Sequence, residues 1–147
     1  MHAVSEPNPI SPAPPVPAPL WRRLAAGVYD LLALAALWMV AGLVWVAAHG
    51  GAAAEPGDRG LRSLLLLTAL AYYGYCWRGG QTLGMRAWRI ELRTADGARL
   101  SWPAAALRLA MALVGLACLG LGLIWALFDA RGRCWHDLAA GTEVVRK

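Results

Sequence analysis

Acidic side chains are scarce in this 147-residue chain, nine Asp and Glu against fourteen Lys and Arg, and charged residues of both signs reach only 16%. Soluble domains carry roughly 25% charged residues and 45–50% apolar ones. Here the apolar share is 59%, collected into three blocks rather than spread evenly, which excludes an ordinary soluble surface. Cysteine is also sparse. Cys76, Cys118 and Cys134 show no CxxC spacing, and Cys134 with His136 makes one C-x-H pair with no second pair. A disulfide framework and a zinc site are therefore not expected. No serine or cysteine stands in a recognisable nucleophile motif, so neither enzyme activity nor a cofactor is expected. The net charge of +5 lacks any accompanying nucleic-acid motif, and the arginines flank the apolar blocks. That placement suits lipid headgroups, not DNA or RNA.

Residues 1–19 hold seven prolines and no apolar run, the composition of an extended, disordered tail. No secretory signal begins there. Arg22-Arg23 precedes an apolar stretch, but that stretch is too long for a signal core and Asp30 interrupts it. Residues 20–145 read as a single membrane domain. Its first segment, 24–48, would rise ~37 Å as a helix, enough for a ~30 Å hydrocarbon core. The second, 61–77, is rich in Leu and ends in Tyr72, Tyr73, Tyr75 and Trp77, as at a membrane interface. The third, 104–128, contains Gly115, Gly120 and Gly122 and either spans or turns back at them.

Between the second and third blocks the apolar period changes to two. Trp88, Ile90 and Leu92 alternate with Arg89, Glu91 and Arg93, and Asp96-Gly97 is a hairpin signal. Residues 85–100 are expected to form a juxtamembrane β-hairpin, and Pro103 to open the next helix. At the chain's end, Thr142 to Val145 suits a short edge strand. The expected fold is thus an all-α integral membrane protein of three apolar segments with a small β-hairpin.

Asp30 is the one charge inside the first segment, and a carboxylate at a membrane helix centre costs roughly 2.5–3.5 kcal/mol. It needs a partner. Arg23 lies two turns away, about 10 Å along the axis, and can reach the headgroups instead. Arg108, four residues into its own block and at a similar depth, is the expected ion-pair partner. Two readings follow, a structural bridge or a titratable site exchanging a proton for a cation. His136-Asp137 is read as a tail anchor in which Asp137 caps a short helix.

Three full crossings would divide the Lys and Arg residues almost evenly between the two sides. A third block that turns back would put eleven on one side and two on the other. The charge rule therefore favours a broken third segment and a cytoplasmic tail, whereas length favours a span.

These features resemble the RDD family of bacterial membrane proteins. The resemblance is carried by Arg23 and Asp30 in the first helix, by Gly80-Gln81-Thr82-Leu83-Gly84 after the second, and by Asp96-Gly97. Arg108 and His136-Asp137 with Gly141-Thr142 complete it. The resemblance implies that Arg23, Asp30 and Asp137 are the family's signature residues, with Gly80, Thr82, Gly84, His136 and Thr142 in its turn and tail motifs. It also implies a multi-pass protein of undefined biochemical role, transport being the usual suggestion. Met85 departs from the family, in which many relatives carry Lys after the turn glycine, and the short third block leaves little room for a fourth helix. The expectation is a subunit of a small transporter or ion/proton exchanger in the inner membrane, with its N-terminus cytoplasmic. The alternative is a scaffold that organises a larger complex. Three segments cannot enclose a polar route alone, so a homo-oligomer or other membrane partner is expected.

Overall fold

A computed structural model describes residues 15–147. Helix α1 (Leu20–Ala48) runs ~43 Å and turns back through a Gly/Ala-rich loop into α2 (Arg59–Arg78). Asp58 starts α2 by accepting from the Leu61 N–H at 2.9 Å. Trp38 ties the pair together, its Nε1 donating to the Leu65 carbonyl at 3.0 Å. The short helix α3 (Leu83–Ala87) and strand β1 (Ile90–Thr94) follow. Then α4 (Trp102–Ala117) packs along α2 with the Trp102 ring lying on Gly74. The chain closes with α5 (Leu121–Ile124), a 3-10 turn at Trp125–Leu127, α6 (Trp135–Ala139) and strand β2 (Thr142–Arg146).

Among the described residues, α1 is the one helix long and apolar enough to cross a membrane by itself. It is buried along a stripe of Ala26, Asp30 and Leu34, spaced four apart on one face, while the rest of its apolar surface is open. α2 forms where the second segment is expected, but Arg59, Arg62 and Arg78 at its ends reduce its hydropathy. Three membrane segments are therefore not established by length and composition.

The third block breaks. α4 rises only ~24 Å, less than the ~30 Å hydrocarbon core, and the next turn departs from it by 108°. Leu119 and Gly120 both adopt positive φ, 56° and 78°, and together they reverse the chain. The returning backbone then passes so close that a Cβ on Gly122 would sit 2.7 Å from the Gly115 Cα. The tip is apolar and open, with Leu119 92% exposed.

The expected hairpin over 85–100 does not form. Residues 83–87 are helical because Thr82 caps them, its Oγ1 accepting from the Met85 N–H at 3.1 Å. Asp96-Gly97 does make a turn, with Gly97 N–H donating to Thr94 O, but Ser101 starts α4 before a return strand can develop. β1 instead pairs antiparallel with β2, Leu92 facing Val144. On the other side of β2, Arg146 N–H donates to Val16 O and Ala18 N–H to Val144 O, both at 2.9 Å. The Pro-rich tail is accordingly pinned from Val16 onward; its expected disorder over 1–14 lies outside the described residues. The cost of ordering these residues is offset by burial of Ala18 against Ile90, Leu92 and Val144 in the main core cluster.

That core sits at one end of the long helices, not between them. Start, middle and end of the chain meet there; eleven of the fourteen Lys and Arg residues flank it, Arg108 is buried against its Trp77, and Arg59 and Arg62 lie at the opposite end of α2.

Candidate functional site

Asp30 is 4% exposed. Its Oδ1 accepts from the Tyr72 hydroxyl at 2.9 Å and from the Gly84 backbone N–H at 2.8 Å. Its Oδ2 accepts from the Thr82 hydroxyl at 2.6 Å. All three donors are neutral, and they come from α2, the 79–84 turn and α3. The approach requires Gly84, since a Cβ there would collide with the Ala26 carbonyl of α1. Gly80, with φ of 83°, turns the chain so that its carbonyl receives the Leu92 N–H at 2.7 Å. The turn motif over 80–84 is thus a cradle for one carboxylate.

The expected Asp30–Arg108 ion pair is absent. Arg108, 2% exposed, is taken up by Asp137, which has no exposure at all. Arg108 Nη1 lies 2.6 Å from Asp137 Oδ1, close but out of line for a hydrogen bond, and the same nitrogen donates to the Thr142 hydroxyl. The guanidinium also stands over the Trp77 ring, 5.0 Å from its centroid. Equal depth in the membrane put Arg108 beside Asp30 on sequence grounds. The fold decides otherwise, because α6 packs on α4 and brings Asp137 to the same arginine.

Arg23 completes a second constellation. Its Nη1 donates to Asp137 Oδ2 at 2.9 Å and to Cys134 Sγ at 3.3 Å, and its Nη2 to the Val144 carbonyl at 3.3 Å. Asp137 does not stand ahead of a helix starting at Leu138, as expected, but inside α6, where it reaches back to accept from the N-cap Cys134 N–H at 3.0 Å. One carboxylate therefore ties α6 to α1 and to α4, and the two arginines it holds reach on to the C-terminal strand at Val144 and Thr142.

The charges set the titration of this cluster. Burial alone would raise the Asp137 carboxyl, but Arg108, His136 and Arg23 outweigh it and hold the group at about 2. His136 Nε2 is 3.6 Å from Asp137 Oδ1. Burial and the neighbouring Arg108 push the imidazole down to about 4, so at neutral pH it is uncharged and makes no salt bridge. Burial, followed by the Asp137 charge, raises the Cys134 thiol to about 11.

Cys134, His136 and Asp137 offer three donor atoms within 4.8 Å of one another. The set does not suit a cation. Both Asp137 oxygens already face guanidiniums, and the thiol is protonated. The same features leave Cys134 a poor nucleophile.

Arg23, Asp137, His136 and Thr142 thus share one cluster with Arg108, while Asp30, Thr82 and Gly84 form another. Tyr72 was missed as a site residue on sequence grounds, being read as part of an aromatic belt. Its spacing on α2 gives no signal of a carboxylate partner 42 positions earlier.

The profile described as the RDD family matches residues 17–141. The chain belongs to the RDD family. The match contains every residue of both clusters except Thr142 and Val144, which fall just past its end. As an RDD-family chain with a long apolar helix, it is a membrane protein. No curated protein and no solved structure matches it.

Proposed function

We propose that this RDD-family chain is a non-enzymatic subunit of a small ion or proton exchanger in the inner membrane, with Asp30 as the group that exchanges a proton for a cation. One observation carries the reading: a buried carboxylate inside a membrane helix, held only by neutral donors. Intramembrane acids usually mark ion or proton routes, or else pair with a cation. Asp30 makes no such pair among the described residues. Tyr72 is half-buried, and its hydroxyl is the donor nearest the outside of the cradle.

By the charge rule, the end of the molecule that gathers eleven cationic residues faces the cytoplasm, and with it both termini. α1 and α2 cross, while α4 and α5 dip into the membrane and return. A polar route needs more walls than these segments supply, so the exchanging unit is an oligomer or a complex with another membrane protein.

A second reading has its own support. Each buried carboxylate ties three elements together, as a scaffold would require. Ion flux into proteoliposomes separates the two. The exchanger reading expects flux from the wild type that Asp30→Asn abolishes. Flux that survives the substitution, or a wild type with none, would leave the scaffold.

A further inference from the structure

We propose that the cleft between the C-terminal turn of α2 and the β1–α4 connection binds the phosphate of an anionic phospholipid drawn from the surrounding bilayer. The cleft has a volume of about 1030 Å³, and among the described residues its charged lining is wholly cationic: Arg78, Arg86, Arg93 and Arg99, with no Asp or Glu. Glu91 neutralises Arg93 at 2.5 Å. The other three make no ion pair among the described residues. Arg78 is held in place over the Trp102 ring, 5.3 Å from its centroid. Three uncompensated guanidiniums around one concavity repel one another, and an anion relieves that repulsion. The planar guanidinium fork matches phosphate oxygens in pairs.

The position of the cleft favours a lipid over a dissolved anion. Trp77 and Trp102 line it, and aromatic rings of this kind mark the headgroup level of a membrane. Leu83 and Tyr75, also in the lining, are exposed, so an acyl chain leaving the cleft meets apolar surface. Basic clusters next to membrane helices recognise anionic headgroups by this combination of charge and depth. The volume fits a headgroup better than a bare ion. The inference rests on the membrane placement of the chain and is independent of any exchange at Asp30.

Native mass spectrometry of the detergent-purified protein tests it, with phosphatidylglycerol and phosphatidylcholine of matched chains added together. Phosphatidylglycerol is expected to be retained in preference. Arg86→Gln and Arg99→Gln should each lower its retention by about fivefold, the effect of one basic residue near a charged membrane surface. Glu91→Gln releases Arg93 and should raise retention, a gain that a misfolded variant could not produce. Equal retention of the two lipids, or a preference unmoved by the arginine substitutions, would overturn the proposal. Displacement of the lipid by millimolar inorganic phosphate would also overturn it, making the cleft a site for a soluble anion.

Discussion

Asp30 and Asp137 are carboxylates with almost no solvent contact, yet one is surrounded by neutral donors and the other by two guanidiniums. The difference follows from where each lies. Asp137 sits in the cap at the end of the helices, where Arg23 from the first turn of α1 and Arg108 from the second turn of α4 converge. Asp30 is two turns deeper than Arg23, beyond the reach of the arginines at the interface, and the chain brings it a hydroxyl-rich turn instead. A carboxylate clamped between fixed cations is locked in one charge state. One held by hydroxyls and an amide has no cation beside it among the described residues. The pair therefore separates a joint from a candidate working group.

The sharpest way to break this comparison is to remove the clamp. Asp137→Asn would leave Arg23 and Arg108 buried and unpaired, and loss of one partner of a buried pair costs about 3–5 kcal/mol. Thermal unfolding in detergent should show a large loss. A wild-type melting temperature would mean that the arginines find other partners.

Acid should act on the same joint. Folded His136 titrates at about 4, below its ordinary value of 6.5. The unfolded chain therefore takes up this proton first as the pH falls, and stability that is complete above 6.5 declines down to pH 4. At ~1.4 kcal/mol per unit the loss is on the order of 3 kcal/mol. Asp137, whose folded value of about 2 lies below its ordinary 3.8, adds a further loss only below pH 4. Melting temperatures across this range should fall for the wild type, and His136→Gln should flatten the slope between 6.5 and 4.

The smallest effect is expected at the other carboxylate. Asp30→Asn keeps one carbonyl acceptor, and the Thr82 hydroxyl can rotate to accept from the new amide. A cost of ~1–2 kcal/mol is expected in the same unfolding assay, the range for a disturbed buried hydrogen bond. A loss as large as that of Asp137→Asn would erase the distinction between the two sites.

Much of this architecture was legible in the residues. Hydropathy located the segments that became α1, α2 and α4, and the glycines at 115, 120 and 122 marked the place where the third block folds back. The alternation over 88–93 indicated a strand, which forms from Ile90; Trp88 instead ends α3 and Arg89 turns at φ 52°. Its partner was hidden, because a period of two fixes a conformation without naming the neighbour. The Asp-Gly turn pointed to a local hairpin, whereas the ladder runs to residues 142–146 at the far end of the chain. The site was legible to the same degree. Asp30, Arg108 and Asp137 stood out as charges in apolar surroundings, but their pairing depends on which helices pack. Thr82 and Gly84 looked like turn formers, and their donors are aimed only once α3 lies on α1.

The separateness of the two carboxylates is tested most directly by paired double-mutant cycles on unfolding free energy in detergent, with Arg108→Gln common to both. Combined with Asp137→Asn, it should show a coupling of at least ~1 kcal/mol, as for residues in one network. Combined with Asp30→Asn, the effects should add to within ~0.5 kcal/mol. Strong coupling between Asp30 and Arg108, with none between Asp137 and Arg108, would contradict the account.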